Sequence, residues 1–306
     1  MGIVVFGSIN MDLTTYAPRL PRPGETLFGH SFITVPGGKG SNQAVAAARL
    51  GAPTRFIGRI GDDAFGREVL PTIQQQGVDV SGVMVDKDHA TALAVISVDD
   101  QAENAIIVIS GANMALDQTD VARCLPALDT AQVLLLQLEV PLEASMAVAQ
   151  AARERGVTVV LDPAPARPLP DEVFSLVDIL TPNEVETEAQ VGFLPNTPED
   201  AARAASVLRA RGAKAVIVKL GARGVYYESS SGSGFIPPFR VKAVDSVAAG
   251  DAFNGGLAVA LYEGKPLPEA VRWGAAAGAL AVTRPGAMPS MPYREELERL
   301  LKEGTV

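Results

Sequence analysis

"QVLLLQLEVPLEASMAVAQAARERGVTVVLD", residues 132–162, holds the unit that decides the fold. Its two ends, "QVLLLQL" and "VTVVLD", are short, apolar and rich in Val and Leu, as strands buried on both faces must be. The segment between them, "PLEASMAVAQAARERG", has helical length and stops at Gly156, a residue type that ends helices because it accepts a left-handed backbone. Strand, helix and strand in that order make a crossover between parallel strands. The rhythm recurs along the chain. "IVVFGS", "RFIGRI", "DILTPN" and "KAVIVKL" read as further buried strands, and "SNQAVAAARLG" and "TPEDAARAASVLRARG" as helices closing at Gly51 and Gly212. The alternation predicts an α/β fold: a doubly wound, mostly parallel sheet flanked by helices.

Two segments break the rhythm. Residues 13–35 carry turn punctuation ("PRLPRPGETLFGH") without a helical period, and residues 91–110 read as a hairpin turning at Asp99–Glu103. Together they predict a small β-sheet lid, discontinuous in sequence, on a main domain formed by 1–12, 36–90 and 111–306. From about residue 249 the chain turns helical, and "ESSSGSG" at 228–234 reads as a turn between strands.

Composition narrows the function classes. The 306 residues are 47% hydrophobic and carry a net charge of −9, which supplies a core and gives no footprint for nucleic acid. The single cysteine, Cys124, falls on a helix face in "DVARCLPAL"; it reads as a buried structural thiol and fits a reducing, cytoplasmic setting. "MGIVVFGSINMD" reads as a strand rather than a signal peptide, and Phe6 stands where a myristoylation signal needs Ser or Thr. No apolar run approaches the roughly 18 residues that span a membrane, so no membrane partner is expected. With only His30 and His89, a His-rich metal site or a Ser-His-Asp triad has little to work with.

Ligands of an open α/β sheet bind in the crevice beyond the carboxyl ends of its strands. Four polar clusters follow such ends: Asn10 and Asp12 in "GSINMD", Glu139 in "LQLEVP", Asn183 and Glu186 in "TPNEVE", and Lys219, Leu220, Gly221, Ala222, Arg223 and Gly224 in "VKLGARG". "PGGKGSNQA", residues 36–44, is not a P-loop, because the G-x-x-x-x-G-K-[ST] spacing is missing. Its Gly37, Gly38 and Gly40 would let backbone N–H groups reach a polar ligand, with Lys39 and Asn42 as added donors. It reads equally as a glycine-rich helix entry. "DSVAAGDAFNGG", residues 245–256, sets a bare backbone and Asp251 before a long helix. Either something approaches that backbone closely, or this is an ordinary helix start with an acid favoured by the dipole.

"PGGKGSNQAVAAARLGA" and "DSVAAGDAFNGG" together resemble the two signature regions of the ribokinase-like sugar kinase family. The likeness runs from the first strand to the last helix and takes in "GSINMD", "GDDAFG", "GAN" at 111–113, "QLEVP", "DPAPARPLPDE", "TPNEVE", "LGARGV" and "VTRPGAMPS". It implies ATP-dependent phosphorylation of a sugar's primary hydroxyl, with D-ribose phosphorylated at its 5-hydroxyl, and with Mg²⁺ and K⁺ as cofactors. By the resemblance Asp251 is the catalytic base, and the amides of Ala248, Ala249, Gly250 and Asp251 form an anion hole. Asn10, Asp12, Gly38, Lys39, Gly40, Ser41, Asn42 and Glu139 fall where the family holds the sugar. Asn183 and Glu186 help to position Mg²⁺ and phosphate, while Lys219 to Gly224 and Ala275 lie at the nucleotide. The family usually begins the anion hole with Gly where Ala248 stands, and Ser246 replaces a frequent Thr. At Ala275 a larger polar residue is expected.

Physics supports such a mechanism independently. Phosphoryl transfer needs in-line positioning and charge neutralisation, which a helix N-terminus stripped of side chains supplies. Backbone carbonyls without helical partners in "AVTRPGAMPS" are expected beside Asp245. In proteins resembling this one they enclose a potassium ion, here with Asp245, Val247, Ala281, Arg284, Gly286 and Ser290 as its surroundings. Leu27, Phe28, Phe32, Val95 and Ile107 give the lid more apolar surface than a sugar can cover, which predicts a homodimer joined lid to lid. Competing readings are a sibling sugar or nucleoside kinase, a nicotinamide-dependent oxidoreductase and a silent sugar-binding homologue. The missing G-x-G-x-x-G after "GIVVFGS" counts against the second, and the intact Asp251 against the third.

Overall fold

The computed structural model describes residues 2–101 and 103–304. Its strands are β1 (Gly2–Phe6), β2 (Asn10–Ala17), β3 (Ser31–Gly37), β4 (Thr54–Gly61), β5 (Asp79–Asp86), β6 (Ala92–Asp99), β7 (Asn104–Ile109), β8 (Ala131–Leu136), β9 (Thr158–Leu161), β10 (Ile179–Leu180), β11 (Ala215–Lys219), β12 (Val225–Ser229) and β13 (Gly232–Ile236). Its helices are α1 (Lys39–Arg49), α2 (Ala64–Gln75), α3 (Gln118–Leu128), α4 (Leu142–Glu154), α5 (Asp171–Leu176), α6 (Glu184–Val191), α7 (Pro198–Ala210), α8 (Ala249–Tyr262), α9 (Leu267–Ala281) and α10 (Arg294–Glu303).

A nine-stranded sheet runs β13-β12-β11-β10-β9-β8-β1-β4-β5. All pairs from β5 to β11 are parallel, and the two pairs β11–β12 and β12–β13, at one edge, are antiparallel. Because successive side chains alternate faces, each inner strand feeds two cores. Ile3, Val5, Val133, Leu135 and Ile217 face α1, α8 and α9, whereas Val4, Phe6, Leu134, Leu136 and Val218 face α3, α4 and α7. Each such side chain removed from water contributes about 1.5–3 kcal/mol. Cys124 lies wholly buried on α3, where loss of water pushes its thiol up to about 12.

The chain leaves β1 towards β4 and β5, then crosses back to β8 and continues the other way, so the strand order reverses between β1 and β8. A crevice opens at such a reversal, beyond the strands' carboxyl ends. A second, four-stranded sheet, β3-β2-β6-β7, stands over it. The hairpin expected at Asp99–Glu103 closes with Asp99 N–H donating to the Glu103 carbonyl. Asn10, Met11 and Asp12 lie on the first strand of this smaller sheet, paired with Gly37, Pro36 and Val35.

Two elements differ from the sequence reading. "DILTPN" yields a strand of only two residues, since Pro182 has no N–H for the ladder and Asn183 already caps α6. β5 escapes a search for continuous apolar runs because it is a half-exposed edge strand.

Small residues bring α1, α8 and α9 together. A Cβ on Gly255 would stand 2.4 Å from Ala46 Cβ, and one on Gly256 would stand 2.8 Å from Ala277 Cβ. These helices approach closely because only an alanine methyl on one side and a bare glycine on the other stand between them.

Candidate active site

The sugar-side candidates converge where β1, β2 and α1 meet. Asn113 accepts from the Ile9 N–H (3.0 Å) and donates through Nδ2 to Asn10 Oδ1 (2.8 Å), which fixes the Asn10 amide with its own N–H groups uncommitted. Asp12 is two residues on. Burial, reinforced by the nearby Glu139 charge, pushes its carboxyl up to about 7. Gly37 is required here, since a Cβ would fall 2.2 Å from Asp12 Oδ2. Glu139 accepts from the Lys39 N–H (3.0 Å) and from Ser8 Oγ, placing a carboxylate at the start of α1 where the dipole favours it.

Glycines 38 and 40 have a packing reason. Gly38 has φ 95°, and a Cβ there would stand 2.8 Å from the Asn10 nitrogen; on Gly40 one would stand 2.6 Å from the Ser8 nitrogen. Ser41 is turned away from the cleft: its hydroxyl donates to the carbonyls of Gly37 and Gly38, so its side chain secures the helix start. Burial works against the Lys39 charge, but Asp251, Asp162, Glu139 and Glu186 more than restore it and hold the pKa above its ordinary value.

Asp251, on the first turn of α8, is buried between two amides. Asn42 Nδ2 donates to Oδ2 (3.0 Å) and Gln43 Nε2 to Oδ1 (3.1 Å). Burial pushes its carboxyl up to about 7; Lys39 and the two donors pull down, and Asp162 pushes up. Asn42 Oδ1 is buried with no hydrogen-bond partner among the described residues. A ligand hydroxyl would satisfy it.

The turn before α8 opens the opening residues of the helix. Ala248 has φ 58° and is the one non-glycine residue with a left-handed backbone among those described. α8 has no side-chain cap. Among the described residues no acceptor meets the N–H groups of Ala248, Gly250 or Asp251. The fourth expected donor is spent: Ala249 N–H binds the Ser246 carbonyl at 3.3 Å. Lys219 Nζ lies beside this turn, 3.3 Å from where a Gly250 Cβ would be, and donates to Asp162 Oδ1 at 2.9 Å. Its charge is buried, and Asp162 with Glu186 raises its pKa in spite of that. Three uncommitted amides, a helix dipole and an ammonium group make a setting that suits an anionic group.

Asn183 and Glu186 form a reciprocal capping box on α6: Asn183 Oδ1 accepts from Glu186 N–H, and Glu186 Oε2 from Asn183 N–H, both at 2.8 Å. Glu186 is buried, which raises its pKa, while Lys219 pulls it down. In the β11–β12 connection Gly221 and Gly224 have φ 55° and 108°. Leu220 is buried and Ala222 exposed, and Arg223 is paired with Glu184 and the Asn196 carbonyl. Leu220 and Arg223 therefore have no free side chain to offer a ligand. Ala275 sits half-buried on α9 and offers only a methyl.

Asp245 links the two parts of the suggested cation loop. Its Oδ2 accepts from Gly286 N–H (2.8 Å) and its Oδ1 from Val247 N–H (3.0 Å). No N–H donates to the carbonyls of Asp245, Val247, Arg284 or Gly286 among the described residues. The Ala281 carbonyl accepts from Arg284 N–H, and Ser290 Oγ donates to the Ala287 carbonyl.

Sequence reasoning missed Gln43, Gln137 and Asp162 as members of the site. Each is a polar residue in a slot that the apolar period assigns to the core, and that mismatch was the available signal.

Comparison with known proteins identifies the family and the fold. The description "pfkB family carbohydrate kinase" matches residues 2–294. The chain is 43% identical over 300 residues to the ribokinase of Haemophilus influenzae, covering 98% of each, and 39% identical to that of Bacillus subtilis, covering 98% and 99%. The structure of Arabidopsis thaliana ribokinase complexed with ribose and ATP superposes with a TM-score of 0.92 at 35% identity, covering 98% of both chains. The ribokinase of Thermotoga maritima follows at 0.89 and 38%, covering 98% of this chain and 99% of that one.

Proposed function

Since the chain belongs to the pfkB family of carbohydrate kinases, we propose that it phosphorylates D-ribose at the 5-hydroxyl with ATP, giving ribose 5-phosphate and ADP. The observation that carries this reading is the juxtaposition of Asp251 with the uncommitted amides of Ala248, Gly250 and its own N–H. Asn10, Asp12, Lys39, Asn42 and Glu139 hold the sugar, with Asn42 Oδ1 taking a hydroxyl hydrogen. Asp251 takes the proton of the primary hydroxyl as its oxygen bonds to the γ-phosphorus. The bond to the β–γ bridging oxygen breaks, and ADP leaves with that electron pair. An alcohol is far less acidic than a carboxylic acid, so a base lifted to about 7 is better matched to this transfer than an ordinary Asp.

Mg²⁺ fits the donor set: two ammonium groups, Lys39 and Lys219, stand among four carboxylates, Asp162, Glu186, Glu139 and Asp251. Mg²⁺ is commonly held by one or two carboxylates together with substrate phosphates, and Glu186 is the candidate here. When bound it neutralises charge on the nucleotide's phosphates. The unpartnered carbonyls of Asp245, Val247, Arg284 and Gly286 suit a monovalent cation such as K⁺. By holding this loop through Asp245, the ion would keep the amides of 248–251 aimed. The lid leaves Phe28, Phe32, Ile106 and Ile107 exposed, which supports a homodimer formed lid to lid. The nucleotide donor and the buried Cys124 suit a cytoplasmic setting.

A coupled ADP-release assay over a panel of pentoses, hexoses and nucleosides tests the reading. The expected result is the highest kcat/KM with D-ribose. A higher value with any other acceptor overturns the substrate, and no ADP release with any of them overturns the kinase.

A further inference from the structure

One buried polar side chain joins the two halves of the site. Gln43 is wholly buried on α1, in the stripe it shares with Ala46, Ala47 and Leu50. An amide in such a place costs free energy unless every group is satisfied, and an apolar residue would serve packing better. Its Oε1 accepts from Gln137 Nε2 at 2.7 Å, which sets the orientation of the amide. Both Nε2 hydrogens are then spent on carboxylates, one on Asp251 Oδ1 and one on Asp162 Oδ2, each at 3.1 Å. Asp162 in turn holds Lys219 Nζ, which lies beside Gly250.

We propose that Gln43 is a positioning residue for phosphoryl transfer: it ties Asp251 to the Asp162–Lys219 pair, so that the base and the ammonium beside the anion hole are aimed at one phosphorus atom. This rests on the kinase reading above. Gln43 acts on the reaction through its neighbours and touches neither substrate.

The groups facing Asp251 are Lys39 and the amides of Asn42 and Gln43 from α1, and Asp162 beyond β9, with Lys219 of β11 behind Asp162. The Gln43 donor favours the ionised carboxylate, and the Asp162 charge opposes it. Two substitutions therefore move the titration of Asp251 in opposite directions. Gln43→Met raises its midpoint and Asp162→Asn lowers it, each by about 0.5–1 pH unit, the usual reach of one charge-assisted hydrogen bond or one nearby charge.

The test follows the full-length variants by kcat and sugar KM from pH 5.5 to 9, and by carbon-13 NMR of the Asp251 carboxyl, which needs no turnover. For Gln43→Met the expected result is kcat about 10–100-fold lower, sugar KM within about threefold of wild type, and the acid limb moved upward. If Gln43→Met does not fold, Gln137→Met, which frees the amide to rotate, moves the same midpoint upward by less. An unmoved midpoint in the variant that folds, or a shift of the same sign in Asp162→Asn, overturns the proposal and leaves Gln43 a packing residue. Wild-type protein that phosphorylates no sugar overturns the kinase reading instead, and the NMR midpoints still decide whether Gln43 tunes Asp251.

Discussion

Asp251→Asn separates what the carboxylate does for chemistry from what it costs the fold. The side chain keeps its shape and loses its charge. In the folded protein Asp251 titrates at about 7, against 3.8 for an ordinary Asp, chiefly because it is buried. Between about pH 4 and pH 7 the unfolded chain has released this proton and the folded chain retains it. Raising the pH through that window withdraws stability, and above it the loss is complete and constant. About three pH units correspond to roughly 4 kcal/mol, an order-of-magnitude figure. Against this, the Asn amide has a single oxygen, so one of the donors from Asn42 and Gln43 loses its acceptor, at about 1–3 kcal/mol. The variant is therefore expected to unfold at higher urea than wild type at pH 8.5, by about 1–3 kcal/mol. Its advantage should shrink by roughly 2–3 kcal/mol on going to pH 5. Turnover should fall by about 10²–10⁴. Urea titrations at five pH values and the ADP-release assay read both effects. An advantage that is independent of pH, or grows towards acid, would refute the reasoning about the buried charge. More than a tenth of normal turnover would remove Asp251 from the role of base.

Three further outcomes can be checked directly. Ala248→Gly relieves a left-handed alanine worth about 1–2 kcal/mol, less about 0.5–1 for the freer unfolded chain. A rise in melting temperature with kcat within about twofold is expected; a lower melting temperature contradicts the strain. Replacing K⁺ by Na⁺ or Tris at constant ionic strength should depress kcat more than KM, because one misaimed amide costs about 3–4 kcal/mol in the transition state; equal rates make 281–290 an ordinary loop. Light scattering should give twice the chain mass at micromolar concentration, and Phe32→Lys with Ile107→Lys should halve it, whereas a monomeric wild type ends the lid-to-lid dimer.

Much of the fold was legible because its inner strands are buried on both faces, so β1, β4, β8, β9 and β11 stand out as apolar runs ended by glycine-stopped helices. β5 and β10 were hard to read for different reasons: one is half-exposed at an edge, and the other is two residues long before Pro182 stops it. In the site, Asp251 and Lys39 drew notice because glycines and other small residues surround them, and their roles came with the family resemblance. The destination of each polar group was not legible. That Ser41 turns back on its own helix, that the Ala249 N–H is already spent, and that Asn183 and Glu186 cap each other depend on hydrogen bonds that sequence spacing permits without fixing. Gln43 and Asp162 lie 119 positions apart, and only the packing of α1 against the sheet brings them together.

The contact of Gly255 with Ala46 makes α1 and α8 a ruler. In the proposed reaction α1 holds the acceptor and α8 the phosphoryl, and between the two helices a bare glycine meets a single alanine methyl. The gap across which the new O–P bond forms is thus a dimension of the core rather than of a flexible loop. Widening it by a methyl group means prying apart two helices packed glycine against alanine. Adapting to a broader or narrower acceptor falls instead to the second sheet, whose strands are half-exposed and joined to the rest by few crossings. A protein built this way can be refitted to a new sugar by recutting its cover, while the reach of its chemistry stays the same.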